Sequence, residues 1–315
     1  MLENIVQTHL DFIVFILALF AERFIPLVSW YHPNTFFSAV FLAIAERVYQ
    51  PTDSKHYQYL ASILAFSLVI IIIITLTVLF LEFAFYPELL AGLILYLSLN
   101  SRLLDKKARR IARLLKLRQK AAAREMLASF VIRDVTSLSS VGICKALMEG
   151  LILRTAREYF VVIFWYLIAG PIATLGYKLL SLMHQAWRRK MRPDSAFLKP
   201  IATLLFIIEW LPVRLLALTV AASKASKQSI HYIKHYGRHF YQTNTGWLLS
   251  VCSASIGVQL GGPAVYHSQR FNKMRIGTDR LPNADDLPIL INRLNQAKAF
   301  WLLLILFSEI IKSLL

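Results

Sequence analysis

The chain contains little cysteine and few acidic residues. Only two of its 315 residues are cysteines, Cys144 and Cys252. Neither lies in a CxxC pair or next to a histidine at a spacing typical of metal ligands. Two cysteines are too few for a disulfide framework and give no support for a zinc site, so we expect buried free thiols. Asp and Glu number 18 against 35 Lys and Arg, which gives a formal net charge of +17.

The positive charge is concentrated beside hydrophobic segments. Ten Lys or Arg residues lie between Arg102 and Arg124, directly after the apolar segment 84–99, and Trp187 to Arg192 follows a later apolar block in the same way. Clusters of this kind mark cytoplasmic loops of membrane proteins. The first cluster also has a Leu/Ile stripe that suits a helix on an anionic lipid surface, although orientation and solvation alone explain the charge equally well. No nucleic-acid-binding module is recognisable, so we expect no nucleic-acid partner.

Residues 59–81 form an uninterrupted apolar run of 23 residues without charge, proline or glycine. A hydrocarbon core about 30 Å thick needs about 20 apolar residues at a helical rise of ~1.5 Å. In lipid, only a helix lets such a segment satisfy its own backbone polar groups. The remaining candidate segments carry charges, glycine or proline, or are shorter: 10–29, 159–183, 201–222 and 299–311. The sequence predicts an all-α, polytopic membrane bundle of four to six embedded helices.

We expect one domain over 1–315, divided along the chain into five segments. These are an N-terminal membrane region (1–99), a basic cytoplasmic helix and loop (100–145), a second membrane region (146–222), a polar loop-rich segment (223–298) and a hydrophobic helix (299–315). The polar segment contains six of the eleven glycines and four of the eight histidines, and loops on a rigid scaffold concentrate binding chemistry.

Two patterns in the polar segment invite a functional interpretation. His231, His235 and His239 recur every four residues, but without a neighbouring carboxylate or cysteine an interfacial basic face is favoured over a metal site. Gly261-Gly262-Pro263 predicts a glycine turn with an accessible backbone. It is not a phosphate-binding P-loop, because no Gly-Lys-Ser/Thr follows and no strand is expected before it.

A helix is also predicted to begin shortly after Arg133 and Asp134. Ser137 or Ser139 can act as its N-cap, and the helix then runs through Glu149. Lys145 lies one helical turn before Glu149 and is the predicted partner of that carboxylate.

Five segments in this order resemble the adenosylcobinamide-phosphate synthases, the CobD/CbiB family of cobalamin biosynthesis. They are RDVTSLSSVGICKALMEG, IFWYLIAGPIATLGYK, EWLPVRL, NTGW and GVQLGGPAVY. The resemblance implies a multi-pass inner-membrane ligase with its basic loops in the cytoplasm. The implied reaction joins aminopropanol phosphate, or an ethanolamine analogue, to a propionate carboxyl of the corrinoid adenosylcobyric acid. ATP and Mg²⁺ are implied as cofactors, with membrane lipids as surroundings.

The resemblance also implies site residues. Asp134 and Glu149 are the implied catalytic residues, and no metal-ligand set is assigned. The implied substrate- and phosphate-binding residues are Arg133, Lys178, Arg214, Asn244, Trp247, Gly261 and Gly262. Arginine suits phosphate and carboxylate groups because its planar guanidinium can bind them through two parallel hydrogen bonds.

Several acidic positions of the family are replaced in this chain. The family's Ala-Glu-Asn-Thr-x-Asp stretch reads Ile152-Leu153-Arg154-Thr155-Ala156-Arg157, its Asn-Thr-Leu-Asp stretch reads Ser181-Leu182-Met183-His184, and a paired-aspartate position reads Leu205-Phe206. An Asn position becomes Glu209 and another acid becomes Leu249. The alternative is therefore a non-catalytic membrane protein on the same scaffold. It would bind a corrinoid or a partner, or act in signalling like the AmpE-type proteins, which share the W-x-P-V-R-L stretch.

Overall fold

The computed structural model describes residues 10–27, 32–192, 194–223 and 226–314. In that part of the chain the fold is all-α with four very short strands, as the sequence predicts. The α-helices are α1 (Leu10–Phe24), α2 (Pro33–Val48), α3 (Lys55–Glu82), α4 (Pro87–Ser98), α5 (Ser101–Lys116), α6 (Lys120–Ala128), α7 (Ser140–Thr155), α8 (Val161–Lys190), α9 (Lys199–Ser223), α10 (Ser226–Tyr232), α11 (Thr243–Ile256) and α12 (Asp286–Leu314). Two π-helical turns, Ala156–Phe160 and Ile233–Gly237, and a 3₁₀ turn, Ala196–Leu198, complete the helical structure.

Four helical segments are long and apolar enough to cross a membrane. They are Lys55–Glu82, Ser140–Lys190, Ala196–Ala222 and Asp286–Lys312. Each contains one of the apolar segments that the sequence predicts. The fifth predicted segment, 10–29, corresponds to the shorter helix α1, and its last two residues lie outside the described part of the chain.

The longest of these segments is bent at Gly170. This residue has a φ of 74°, a conformation that glycine adopts without steric cost, and Pro171 follows it without an N–H to donate. Thr174 donates its hydroxyl proton to the Gly170 carbonyl at 3.0 Å, which satisfies an acceptor that the bend would otherwise leave open. A Gly-Pro pair is a recognised cause of such a kink.

The chain forms two compact units, the first made of residues 1–103 and 157–209. In this unit Trp187 is fully buried, donates its indole N–H to the Phe41 carbonyl at 2.9 Å and packs on Phe197 with 4.7 Å between ring centroids. Helix α3 lies at the surface, and no residue in its most apolar stretch of 18 residues is buried. A helix that is hydrophobic all round is expected to face lipid in this way.

A buried polar residue, His32, begins helix α2. Its Nδ1 accepts a hydrogen bond from the Asn34 N–H at 3.2 Å, so the neutral ring is the N-cap. Burial, and then the nearby Lys178 cation, lower the pKa of His32 to about 4, while Glu158 acts in the opposite direction. His32 is therefore neutral at pH 7.

We expect His32→Asn to flatten the pH dependence of stability. Because folding lowers the pKa of His32, the protein loses about 3 kcal/mol as the pH falls from about 6.5 to about 4. Asparagine is also a good N-cap but does not titrate, so the stability at pH 7.5 should be nearly unchanged. Thermal unfolding in detergent between pH 7.5 and 4.5 measures the effect. An equally steep loss in the variant would contradict this assignment.

The second unit comprises residues 104–156 and 210–315. Within it, Leu104 and Ile111 on α5 are buried, while Arg109, Arg110 and Arg113 on the same helix are exposed. The centre of the apolar stripe of this basic helix therefore packs inside the protein and not in lipid, while its basic face is exposed. Cys144 and Cys252 are buried free thiols, as predicted. The predicted division into five segments along the chain stays a prediction.

The loop-rich part of the second unit contains two small antiparallel ladders. Strand β1 (Leu260–Gly261) pairs with β4 (Arg275–Ile276), and β2 (Ala264–Tyr266) pairs with β3 (Gln269–Phe271). The expectation that no strand leads into Gly261-Gly262-Pro263 is wrong, because strand β1 ends at Gly261. Two-residue strands arise from long-range pairing and carry no periodicity that a sequence could reveal.

Candidate functional site

A first cluster forms around Glu149 on helix α7. Ser139 is the N-cap of this helix and accepts the Gly142 N–H at 3.2 Å, which selects it over Ser137. Glu149 Oε1 accepts the Gly261 N–H at 2.8 Å, and Oε2 lies 3.5 Å from Arg133 Nη1. The carboxylate therefore fastens the glycine turn and an arginine to the same helix.

Two cations line this cluster, Arg133 and Lys145. Arg133 also donates to the Gly142 carbonyl at 3.1 Å, and its buried Nε has no acceptor among the described residues. Lys145 donates to Gln259 Oε1 at 2.7 Å. Lys145, the predicted partner of Glu149, makes its hydrogen bond to Gln259 instead and acts on the carboxylate only through its charge, because residues more than ten positions away contact both groups directly.

Gly261 and Gly262 form the predicted turn, with φ values of 71° and 97°. A Cβ on Gly261 would lie 2.4 Å from the Met274 carbonyl oxygen, so only glycine fits there. The Gly261 N–H is bound by Glu149, and the Gly262 N–H donates to the Met274 carbonyl at 3.0 Å. The turn therefore contributes its shape to the cluster, while both N–H groups are used inside the protein.

Asp134 stands at the exposed edge of the same cluster. Its backbone N–H donates to the Val265 carbonyl at 2.9 Å, which ties it to strand β2. Its Oδ1 accepts the Thr136 N–H at 2.9 Å and the Thr136 hydroxyl at 2.7 Å. These two hydrogen bonds, the backbone one first, hold the pKa of Asp134 below its usual value, so the carboxylate is ionised at neutral pH.

A second cluster forms around Arg214 on helix α9. Its guanidinium lies 4.1 Å from the ring centroid of Trp210 and 5.0 Å from that of Trp247. Nη1 donates to Asn244 Oδ1 at 2.9 Å and to the Trp210 carbonyl at 2.8 Å. Trp210 is absent from the predicted site, although its four-residue spacing from Arg214 places both side chains on one helical face.

The two clusters lie near opposite ends of helix α11. Asn244 is in the first turn of this helix, and Ser253 in its last turn contacts the Ile276 carbonyl of β4 at 3.3 Å. These two residues are nine positions apart, which is about 14 Å along a helix. The structure thus gathers Arg133, Glu149 and the glycine turn near one end and the Arg214 group near the other.

Lys178, the remaining predicted binding residue, belongs to the first compact unit. It is 5% exposed and lies near His32 and Glu158. Glu158 accepts the Asn100 side-chain N–H at 3.0 Å. Lys178 is thus part of a buried polar group whose other members come from three other parts of the chain.

Another ion pair occupies positions where the resembled family has an acid and an asparagine. Arg157 donates its Nε–H to both carboxylate oxygens of Glu209, at 3.0 and 3.1 Å, and the Tyr177 hydroxyl donates to Glu209 Oε1 at 3.3 Å. Glu209 is only 3% exposed. The two partners are 52 residues apart, so no local sequence pattern predicts this pair.

The described residues do not supply a preformed site for a metal ion. Within them, no group of three or more His, Cys, Asp or Glu side chains is close enough to hold one. Glu149 and Glu209 are each engaged by an arginine. His231 and His235 stack with 5.8 Å between ring centroids, but no acidic or cysteine partner completes a ligand set in the described chain.

Comparison with known proteins shows which family this chain belongs to. The family model described as CobD/Cbib protein matches residues 15–292. The chain belongs to the CobD/Cbib family. This confirms the resemblance in the sequence, and the match extends over both clusters.

Curated relatives are similar over most of the chain. A cobalamin biosynthesis protein CobD from Stutzerimonas stutzeri is 25% identical over 215 residues, 68% of this chain and 71% of the relative. The cobalamin biosynthesis protein CobD from Chromobacterium violaceum is 25% identical over 218 residues, 69% of this chain and 70% of the relative. One from Streptococcus sanguinis is 28% identical over 211 residues, 63% of this chain and 65% of the relative. No solved structure matches the chain.

Proposed function

We propose that this protein acts in cobalamin biosynthesis by joining aminopropanol phosphate to a propionate carboxyl of adenosylcobyric acid through an amide bond. The observation that carries the proposal is the family match over residues 15–292. The relatives named above are cobalamin biosynthesis proteins by name. The two clusters offer the cations and aromatic surfaces that such anionic, bulky substrates require.

The Arg214 cluster suits the corrinoid. Trp210 is 46% exposed and Leu211 is 45% exposed, so an apolar surface adjoins the guanidinium. The two indole rings and Asn244 hold the guanidinium in one orientation, which lowers the entropy lost on binding a carboxylate. A macrocycle edged with propionate groups matches this combination of apolar surface and fixed cation.

The Glu149 cluster suits the amino-alcohol phosphate. Arg133 pairs with the Glu149 carboxylate, Lys145 lies within reach of its charge, and Arg275 packs over Gly262, so cations outnumber anions there. Charge-assisted hydrogen bonds from such cations stabilise a phosphate. Asp134, ionised and exposed, can attract the ammonium group of the same substrate. Glu149 positions the glycine turn through Gly261, and its catalytic role stays a prediction, as does that of Asp134.

ATP and Mg²⁺ stay predictions of the family resemblance. Magnesium is normally bound by one or two carboxylates together with substrate phosphates. Among the described residues no group of three or more side chains could hold the ion alone, and Glu149 is already bound to Arg133 and the Gly261 N–H, so phosphate oxygens of the substrates would have to supply most of its ligands.

The decisive experiment is amide formation by the purified, detergent-solubilised protein. We expect the amide product, detected by mass spectrometry, when adenosylcobyric acid, aminopropanol phosphate, ATP and Mg²⁺ are supplied. Arg214→Lys should lower kcat/KM about tenfold or more, because lysine keeps the charge but loses the planar stacking and the paired donors. Arg109→Lys, on the exposed face of α5, is the matched control. Full activity in Arg214→Lys would remove this cluster from the site.

A second candidate is a non-catalytic corrinoid-binding protein on the same scaffold. The Arg157–Glu209 pair favours it, because a closed ion pair stands where the family has an acid and an amide. Corrinoid absorbance that co-purifies with a folded protein, without amide formation, would select this candidate. Signalling of the AmpE type is the corresponding alternative without a corrinoid.

We also propose an inner-membrane location with the basic segments in the cytoplasm. The exposed arginines of α5 and the basic end of α8 support this orientation. Labelling of single cysteines introduced in these two segments, in intact cells and in inverted vesicles, tests it.

A further inference from the structure

A surface pocket of about 530 Å³ lies in the first unit, where helix α2 ends and helix α3 begins. The residues that line it are Arg47, Val48, Gln50, Asp53, Ser54 and Tyr57. Helix α3 contains the charge-free run 59–81, so the pocket sits just outside the residues that cross the hydrocarbon. By its position it lies at the level of the lipid headgroups, where tyrosines such as Tyr57 are enriched.

The turn that forms the pocket is rigid. Gln58 is 8% exposed, and its side-chain amide donates to the Gln50 carbonyl at 3.3 Å and to the Asp53 carbonyl at 3.0 Å. The Asp53 N–H donates to the Gln50 carbonyl at 3.2 Å. The Tyr49 ring packs edge-to-face on Phe197, with 5.5 Å between the ring centroids. The backbone of the turn is therefore held in place before any ligand arrives, which lowers the entropic cost of binding.

Two opposite charges line this pocket, and no described residue pairs with either of them. Among the described residues, neither the Arg47 guanidinium nor the Asp53 carboxylate makes an ion pair or a side-chain hydrogen bond. The neighbouring Glu46, by contrast, is paired with Lys190 at 2.9 Å. The Tyr57 hydroxyl likewise makes no hydrogen bond within the described chain. A ligand that carries both a phosphate and a cation complements this arrangement.

We propose that this pocket binds the headgroup of a phospholipid of the phosphoethanolamine type. Arg47 and the Tyr57 hydroxyl contact the phosphate, and Asp53 accepts hydrogen bonds from the primary ammonium group. A choline head has no N–H to donate and prefers a cage of several aromatic rings, whereas one tyrosine lines this pocket. An anionic glycerol head would leave Asp53 unpaired and be repelled by it. This inference does not depend on the proposed enzymatic function.

The test is lipid exchange on the full-length protein in detergent micelles, followed by native mass spectrometry. We expect phosphatidylethanolamine to be retained about tenfold better than phosphatidylcholine or phosphatidylglycerol. Asp53→Asn should abolish the preference for ethanolamine over choline. Arg47→Gln should weaken both zwitterionic lipids equally, because both share the phosphate. Glu82→Gln, at the other end of α3, and Arg189→Gln, at the exposed end of α8, are the matched charge controls.

Three results would overturn the proposal. The first is equal retention of ethanolamine and choline lipids by the wild type. The second is an unchanged preference in Asp53→Asn when thermal unfolding shows that the variant is folded. The third is displacement of the lipid by micromolar free aminopropanol phosphate, which would assign the pocket to a soluble amino-alcohol phosphate. The lipid assignment requires that this competitor be without effect.

Discussion

Glu209→Leu is expected to destabilise the protein by about 3 kcal/mol. The substitution removes the carboxylate that accepts hydrogen bonds from Arg157 and from the Tyr177 hydroxyl. Removing one member of a buried ion pair typically costs about 3–5 kcal/mol, because the other charge stays buried without its partner. We expect a cost near the lower end of this range, because the Arg157 side chain is 25% exposed and can partly reach water.

The paired variant Arg157→Met with Glu209→Leu separates charge from packing. Replacing both members of a buried pair by apolar residues of similar volume is often neutral or stabilising. We therefore expect the double variant to unfold within about 1 kcal/mol of the wild type, whereas Glu209→Leu alone unfolds far earlier. Thermal and denaturant unfolding in one detergent measure both. A double variant as unstable as the single one would show that the pair does not stabilise the fold through its charges.

Glu149→Ala is expected to abolish amide formation and to lower stability by about 2–3 kcal/mol. The Gly261 N–H loses its acceptor, and Arg133, whose side chain is 9% exposed, loses its carboxylate. The first loss loosens the glycine turn, and the second removes the tie between Arg133 and helix α7. Three measurements test this prediction: product formation, thermal unfolding in detergent, and the protease sensitivity of the segment 257–277. A stable and fully active Glu149→Ala protein would show that Glu149 contributes neither to the fold nor to amide formation.

Glu149→Gln is the control for the role of this carboxylate. Its amide oxygen can still accept the Gly261 N–H, so the turn should keep its shape while the charge opposite Arg133 is lost. If Glu149 only positions the turn, this variant should keep a KM close to that of the wild type and most of its kcat. A fall in kcat comparable to that of the alanine variant would instead indicate that the negative charge takes part in the chemistry.

Local features of this protein could be predicted well. The charge-free run 59–81 identified the helix Lys55–Glu82, and Ser139 was one of two predicted N-caps of α7. The turn at Gly261 followed from its glycines, whose left-handed backbone the structure confirms. Each of these depends on residues that are neighbours in the chain, so their physical chemistry can be evaluated from the order of residues alone.

Partner choice over long distances could not be predicted. Lys145 was expected to pair with Glu149 one turn away, but Gln259 binds it from across the unit. The Leu/Ile stripe of α5 was expected to suit an anionic lipid surface, but Leu104 and Ile111 are buried inside the protein. In both cases the outcome depended on which distant segment packs against the helix.

The order of residues by itself determined that this is an all-α membrane protein of the CobD/Cbib family, because apolar length and local motifs need no tertiary context. Only the tertiary structure decided that the predicted site residues of the second unit divide between the two ends of α11, and that Arg157 and Glu209 satisfy each other. A buried charge selects its partner by distance in space, and chain folding sets that distance independently of separation in sequence.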